Sequence, residues 1–194
     1  MGTREKIVEA TERVLREKGL ARSTTKEIAR AAGYSEGTLY KHFESKEDLF
    51  LAVLDERIPS FLALTEDLPA RVGRGTLRET LEEVASTALA FYGEIVPMAA
   101  SIFSEPGLLA RHREGLHKRG AGPWMVNEAL AAYLAAEKRL GRVREDADPE
   151  AAAAMVLGAC YQRAFFQSFL GEDVPAEGEE GFVEDIVQTL MRSL

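Results

Sequence analysis

The chain of 194 residues is 46% hydrophobic and holds one cysteine, Cys160, so it can bury a sizeable core but can form neither an intrachain disulfide nor a cysteine-based zinc site. Its longest apolar stretches, such as residues 151–160, are shorter than the roughly 20 residues that span a bilayer, and no apolar leader opens the chain, so we expect a cytoplasmic protein without membrane contact. The net charge of −8 is uneven, since residues 1–50 hold ten Lys/Arg against nine Asp/Glu (+1) and residues 51–194 hold fourteen against twenty-three (−9).

Two helices with clear ends open the chain. Apolar residues recur at helical spacing from about Thr3, and Gly19 stands where a left-handed cap would end this first helix. Thr24 and Glu27 form a capping box for a second helix, in which hydroxyl and carboxylate satisfy reciprocal backbone amides, and Gly33 ends it. The second helix is therefore predicted to be short and sharply bounded.

Ser35 and Ser45 predict the starts of a third and a fourth helix. The third helix begins at Glu36 and carries Leu39 and Phe43 as residues that pack inward. Because the second and third helices are short, capped and joined by the sequence AAGYS, they form a helix-turn-helix. In such a unit the first helix braces the DNA backbone, and the second lies in the major groove.

Side chains suited to contacts with DNA follow one another along the third helix and recur at the starts of its neighbours. Hydroxyl, phenol, ammonium and imidazole groups can bind base edges or phosphates. Gly37 lets the helix approach DNA closely, because it has no side chain. The candidates on the third helix are Thr38, Tyr40, Lys41 and His42. The candidates for phosphate contacts from the starts of the second and fourth helices are Thr25, Lys26 and Lys46.

The stretch STTKEIARAAGYSEGTLYKHFESKEDLF, residues 23–50, resembles the DNA-binding domain of the TetR (tetracycline-repressor-like) family. It follows the pattern TT-x-x-IA-x-x-AG-x-S-x-GTLY-x-HF-x-SK-x-x-L nearly letter for letter, with Tyr34 where the family more often has a small aliphatic residue. The resemblance implies base contacts from Glu36, Gly37, Thr38 and Lys41. It implies phosphate contacts from Thr25, Lys26, Tyr40, His42 and Lys46, with Lys26 also able to reach a base.

Beyond Pro59 the sequence predicts helices alone, because Ala, Leu, Glu and Arg dominate and β-branched alternation is missing. Predicted helices cover residues 76–92, 98–103, 108–118, 123–140, 149–170 and 180–194. One of the predicted breaks between them covers residues 94–97. We therefore predict an all-α chain with an N-terminal helix-turn-helix three-helix domain, residues 1–50, and a larger C-terminal helical ligand-binding and dimerisation domain, residues 51–194.

Residues 141–158 resemble the family's entry into the first of two long C-terminal helices, which in relatives pair with their counterparts in a second subunit. The resemblance implies a homodimer through residues 149–170 and 180–194. Two recognition helices one DNA turn apart then imply a palindromic operator. The apolar stripes for this interface are Met155, Ala159, Phe166 and Phe169 on one helix and Phe182, Ile186, Leu190 and Met191 on the other.

Bulky side chains of the body either line a pocket for a small-molecule inducer or fill the core, and for any single one the core is the commoner place. Polar tips or soft side chains favour Trp124, Met125 and Tyr161 as pocket residues. The candidate ligand contacts are Phe61, Tyr92, Phe103, Trp124, Met125, Tyr161 and Phe165. The function implied is a ligand-responsive transcriptional regulator, most simply a repressor that an inducer releases from its operator. An activator, a constitutive regulator and a body that docks a protein are alternatives.

We expect no metal ion, no cofactor and no catalytic residue. His112 and His117 stand among cationic residues, but their spacing of five puts them on different faces of a helix, and a solvated face is the simpler interpretation. The sequence has no phosphate-cradling Gly-rich loop, no HExxH motif and no nucleophile elbow. An enzyme that uses a helical body is the alternative from another class, and the sequence gives it little support.

Overall fold

Helices alone make up the regular secondary structure of the part of the chain that the structure describes. The computed structural model describes residues 2–171 and 178–194, and of residues 56–62, 64, 179 and 180 it describes the backbone only. In chain order the helices are α1 (Thr3–Arg22), α2 (Thr25–Ala32), α3 (Glu36–Tyr40), α4 (Lys46–Arg71), α5 (Leu77–Ser104), α6 (Pro106–Lys118), α7 (Trp124–Arg139), α8 (Pro149–Leu170) and α9 (Glu179–Met191). The predicted all-α fold class is confirmed.

The first helix contains an interruption at the predicted glycine. Gly19 has φ +71° and ψ 168°, outside the helical region, and the chain resumes a last turn that ends at Arg22. A positive φ costs glycine little because it has no Cβ. The hydroxyl of Ser23 donates to the carbonyl of Gly19 and so satisfies one group that the interruption leaves open.

The predicted break at residues 94–97 is wrong, because α5 continues from Leu77 to Ser104 with Pro97 inside it. Proline removes one helical hydrogen bond and crowds the preceding turn, which usually bends a helix or ends it. Here Val96 and Ile102 are both buried, on either side of the proline. Packing on both sides of Pro97 keeps the chain helical, an effect that local sequence rules do not include.

The chain divides into two compact units. Unit 1 comprises Met1–Pro59 and Met98–Leu116, and unit 2 comprises Ser60–Pro97 and His117–Leu194. Fully buried side chains of unit 1 include Ile7, Ile28, Leu39, Leu49 and Phe50. Unit 1 is larger than the predicted N-terminal domain, because residues 51–59 and 98–116 pack with it. The division of function at residue 50 stays a prediction.

The core of unit 2 is built by α5, α7, α8 and α9, with α7 packed along α8 and α8 against α9. Asp148 caps α8, since its carboxylate accepts from the backbone N–H groups of Glu150 and Ala151 at 3.0 and 3.1 Å, and Pro149 is its first residue. The predicted bounds of this helix are confirmed. Side chains at the centre of the core include Leu81, Leu130, Leu134, Leu157, Cys160 and Val187.

A buried carboxylate joins two loops of unit 2. Glu137, in the last turns of α7, is fully buried, and its Oε1 accepts from the backbone N–H of Gly73 at 2.8 Å. Its Oε2 lies 2.9 Å from Nε of Arg142, which also donates through Nη2 to the carbonyl of Gly75 at 2.7 Å. A charge without water is tolerated when it is paired, so this pair fixes the α4–α5 turn against the segment after α7.

Among the described residues, α5 is long and apolar enough to cross a membrane by length and composition alone. The same helix buries Leu81, Ala85, Ala88 and Leu89 in the core of unit 2. Core helices of globular proteins meet the same two criteria, so length and composition alone do not make α5 a membrane span.

Candidate nucleic-acid interface

Helix α2 has both of the ends that its sequence predicts. The hydroxyl of Thr24 accepts from the N–H of Glu27 at 3.2 Å, and the carboxylate of Glu27 accepts from the N–H of Thr24 at 3.2 Å. Gly33 has φ +78°, and the N–H of Tyr34 reaches back to the carbonyl of Ala29 at 2.9 Å. This left-handed turn fixes the angle at which the chain enters α3.

Helix α3 separates a buried side from an exposed side. Ser35 caps it, because its hydroxyl accepts from the N–H of Thr38 at 3.1 Å. Leu39 is fully buried and Phe43 is 6% exposed, whereas Tyr40 is 50% exposed. The inward role predicted for Leu39 and Phe43 is confirmed, and the polar residues around them face solvent.

The third helix ends before Phe43, which the sequence places on it. The α-helix ends at Tyr40, the backbone of Lys41 is still right-handed helical, and Lys41 and His42 form a turn in which the N–H of His42 donates to the carbonyl of Leu39 at 3.0 Å. Lys41 and His42 are both exposed. Their side chains therefore project from a turn and can adapt to a ligand more freely than side chains within the helix.

Gly37 is exposed and has free space around it. A Cβ placed on it would meet nothing closer than the Ser35 hydroxyl, at 3.8 Å. The packing of the protein itself therefore does not require glycine at this position. The close approach of the helix to DNA stays a prediction, and the open space at Gly37 is compatible with it.

Three polar side chains at the helix-turn-helix form a cluster. Thr25, the first residue of α2, donates its hydroxyl proton to Oε1 of Glu36, and its Oγ1 lies 3.4 Å from the phenol oxygen of Tyr40. The cluster joins the start of α2 to both ends of α3. Each of its members is predicted to contact DNA, but no local pattern indicates that they bind one another.

Lys46 has protein partners in this structure. Its Nζ donates to the carbonyls of Leu20 at 2.9 Å and Ser23 at 3.3 Å, and its side chain is half-buried. These carbonyls belong to the last turn of α1 and the residue after it, and that of Leu20 also accepts from the N–H of Ser23 at 3.3 Å. Lys46 therefore supports the end of α1, and its predicted phosphate contact stays untested. Lys26, by contrast, is exposed.

A second contact within unit 1 was not visible in the sequence. Arg111 of α6 forms an ion pair with Asp48, and its Nη1 lies 3.5 Å from the Ser45 hydroxyl. Ser45 is the cap of α4, since its hydroxyl accepts from the N–H of Asp48 at 3.1 Å. The pair spans 63 residues of sequence, so no local pattern could have predicted it.

The predicted ligand residues do not gather around one described cavity. Trp124 and Phe103 are 51% and 67% exposed, and Met125 is half-buried. Tyr92 packs edge-on against Tyr161 with ring centroids 5.5 Å apart, and burial raises the pKa of Tyr92 to about 12. Phe165 lies on the exposed face of α8, and the side chain of Phe61 lies outside the described residues.

Two open grooves are lined by other residues. One, of about 410 Å³ in unit 2, has charged walls in which Arg71 binds Asp67 and Glu83, so that the paired charges raise the pKa of Arg71 and lower that of Glu83. The other, of about 360 Å³ in unit 1, includes Lys46 and Arg111. Both grooves are open and have mixed polar and apolar linings, so neither resembles the enclosed apolar pocket that an inducer would need.

One face of α8 carries exposed apolar side chains. Met155, Phe166 and Phe169 are 62%, 45% and 75% exposed, and the rings of Phe165 and Phe169 stack with centroids 5.8 Å apart. Ala159 is half-buried. On α9, Phe182, Ile186 and Met191 are partly buried against the core. Leu190 was wrongly assigned to the interface stripe, because it is 5% exposed and lies in the core of unit 2.

The structure thus combines a capped helix pair that presents one polar side with a separate helical body, the arrangement of helix-turn-helix regulatory proteins. The model of the tetR family of bacterial regulatory proteins matches residues 7–53, and the C-terminal domain of AefR-like transcriptional repressors matches residues 118–193. The chain belongs to the TetR family of transcriptional regulators. The family consists of regulators and not of enzymes.

Individual relatives agree with this assignment. The transcriptional regulator TtgR of Pseudomonas putida is 45% identical over 53 residues, which are 27% of this chain and 25% of TtgR, so the match spans about a quarter of that relative. The structure resembles a TetR-family regulator of Mesorhizobium loti with a TM-score of 0.77 and 19% identity, covering 98% of this chain and 95% of the other. It resembles FadR of Bacillus subtilis in complex with stearoyl-CoA with a TM-score of 0.70 and 19% identity, covering 98% of each chain. These two likenesses show the fold alone.

Proposed function

We propose that the protein is a ligand-responsive repressor that binds a palindromic operator as a homodimer and is released by a small-molecule inducer. The observation that carries the proposal is that α3 and the turn after it have one buried side and one exposed side. Leu39 and Phe43 are buried, while Tyr40, Lys41 and His42 are exposed beside an unobstructed Gly37. A side that carries cationic and hydrogen-bonding groups and lacks bulk suits a DNA groove.

The exposed aromatic face of α8 supports a dimer. Large apolar side chains that lie together on a surface are uncommon in monomers and mark interaction sites. Phe166, Phe169 and Met155 fit this description. A twofold axis through such a face would bring two recognition helices into one complex, and a symmetric dimer reads a symmetric site. Binding by two weak half-contacts also suits an N-terminal segment whose net charge is only +1.

Two similarities support repression and induction. The C-terminal match is to transcriptional repressors, and one relative of the same fold holds stearoyl-CoA. A ligand can release DNA only if it binds the DNA-free form more tightly than the DNA-bound form. We therefore propose an inducer with differential affinity for the two forms, and acyl-CoA thioesters are the first class to test.

The DNA-binding part is tested by selecting binding sites from a random duplex library with the purified full-length protein. We expect an enriched palindrome with half-sites about one helical turn apart, roughly 10 base pairs. Sedimentation of the complex should give two chains for each site. Enrichment of no sequence, or of a site bound by a single chain, would contradict the proposal.

The inducer part is tested on the selected site by fluorescence anisotropy. Stearoyl-CoA, shorter acyl-CoA thioesters, free coenzyme A and apolar drug-like compounds are titrated into the complex. We expect at least one compound to lower the affinity for DNA. Unchanged binding across the panel would count against a ligand-released repressor and favour a constitutive regulator, while leaving the DNA-binding part intact.

A further inference from the structure

The cluster of Thr25, Glu36 and Tyr40 constrains how the protein can read DNA. Thr25 has one hydroxyl proton and donates it to Glu36. In the 3.4 Å contact between Thr25 and Tyr40 the phenol must therefore be the donor. Both hydroxyl protons are thus directed along one chain, from Tyr40 to Thr25 to the carboxylate of Glu36.

Contact with DNA would break this chain of hydrogen bonds. If Thr25 and Tyr40 bind phosphates, as the family resemblance implies, their protons must turn towards phosphate oxygens. Glu36 would then lose its donor while a second negative group approaches. A carboxylate offers acceptors only, and it is half-buried here, so water alone cannot replace the lost bond fully. Glu36 then needs a donor from the DNA.

We propose that Glu36 is the residue that determines base specificity, and that it selects a cytosine by accepting a hydrogen bond from its exocyclic amino group. Only cytosine N4 and adenine N6 present donors in the major groove, whereas guanine and thymine present acceptors that would repel a carboxylate. Adenine also places its N7 acceptor beside the amino group, where the second carboxylate oxygen would meet it. Cytosine has no such acceptor on its own major-groove edge.

The same chemistry makes Glu36 a residue that rejects wrong sites. At a base pair without an amino group in reach, the carboxylate faces hydrogen-bond acceptors and phosphates. These groups repel it, so the wrong site is disfavoured. Removing the charge should therefore strengthen binding to wrong sites and abolish the preference. Thr25 acts as a positioning residue, because its hydroxyl holds the carboxylate in place before DNA arrives.

This assignment rests on the proposed function, and one experiment separates the two. Binding sites are selected from a random duplex library with the wild-type protein, Glu36→Gln and Glu44→Gln. Glu44 is exposed and lies in the segment between α3 and α4, so its substitution changes the charge equally without touching the cluster. Affinities are then measured for the selected site and for the same site with each selected cytosine replaced by thymine.

We expect one symmetric cytosine whose replacement lowers wild-type affinity about 10-fold or more. Glu36→Gln should bind the two sites within about 3-fold of each other and should bind the thymine site more tightly than the wild type does. Glu44→Gln should keep the full discrimination. A palindrome whose base preferences are the same for Glu36→Gln would overturn this assignment alone. A wild-type protein that enriches no sequence would overturn the proposed function, and this assignment with it.

A second measurement does not depend on the folding of a variant. Wild-type protein is titrated with sites in which each selected cytosine is replaced by 2-pyrimidinone, which lacks the amino group. We expect a loss of affinity at the same symmetric position. Unchanged affinity at every position would overturn the role of Glu36.

Discussion

The carboxylate of Glu137 accepts a hydrogen bond from the backbone N–H of Gly73 across 64 residues of sequence. Gly73 has φ +74°, and a Cβ placed on it would lie 3.2 Å from Leu140. The turn before α5 is thus held by a backbone conformation that favours glycine and by an acceptor that arrives from α7. The Glu137 carboxylate is fully buried, so the protein must supply its partners, whereas Gly73 lies at an exposed turn.

Glu137→Ala should lower the free energy of unfolding by roughly 1–3 kcal/mol, because it leaves the Gly73 N–H without its acceptor and Arg142 without its carboxylate. The loss is limited because Arg142 is 29% exposed and can recruit water. Urea denaturation measures the effect. Glu145→Ala, at an exposed position in the loop after α7, serves as the control and should change stability by less than about 0.5 kcal/mol. Equal effects of the two substitutions would disprove the role of Glu137.

Substitutions of Lys41 and Lys46 should differ in their effects on DNA affinity and on stability. Lys41→Ala should weaken binding to the selected site by about 1–3 kcal/mol and leave thermal stability nearly unchanged, because its side chain is exposed. Lys46→Ala removes the same charge, yet it should also lower the free energy of unfolding by roughly 1–2 kcal/mol, since the carbonyls of Leu20 and Ser23 lose the ammonium donor and that of Leu20 keeps the Ser23 N–H. Anisotropy and thermal unfolding are measured on both variants. The assignment fails if Lys41→Ala is the more destabilising of the two.

Stability should fall in alkaline solution. Burial raises the pKa of Cys160 from 9.0 to about 12 and that of Tyr92 from 10.0 to about 12. The unfolded chain therefore ionises first, so the contribution of these groups is fully present below about pH 9 and is lost as pH rises towards 12. Urea denaturation between pH 8 and 11 measures the loss. Cys160→Ala should show a shallower decline, and an identical decline would exclude the thiol as a cause.

The aromatic face of α8 should hold the dimer together. Phe169→Asp introduces a charge into the proposed interface and should shift the protein to monomers at micromolar concentration, as measured by light scattering after gel filtration. Phe103→Asp is the matched control, because Phe103 is 67% exposed and lies on α5. A dimer that survives Phe169→Asp but not Phe103→Asp would place the interface elsewhere.

Local signals in the sequence were sufficient to predict the helix-turn-helix. The capping box of Thr24 and Glu27, the turn glycine Gly33 and the cap Ser35 each act within a few residues, so their geometry could be predicted from spacing alone. The same holds for the start of α8 at Pro149. The family resemblance added the identities of candidate contacts, and these stay predictions.

Contacts between distant residues could not be predicted. The bond from Thr25 to Glu36, the pair of Arg111 and Asp48, and the burial of Glu137 depend on how helices pack. Tertiary packing also overrides local preference at Pro97, where the helix continues. The ligand residues were least predictable, because an aromatic side chain in a helical body gives the same pattern whether it faces a core, a cavity or solvent.

The contact between Lys46 and the end of α1 has a mechanical consequence. Lys46 is the first residue of α4, and its ammonium donates hydrogen bonds to the carbonyls of Leu20 and Ser23. These two residues precede the helix-turn-helix in the sequence, whereas Lys46 follows it. A tilt of the first turn of α4 would therefore pull on the end of α1 through these two hydrogen bonds. The orientation of α3 could then change while its own helical geometry stays the same.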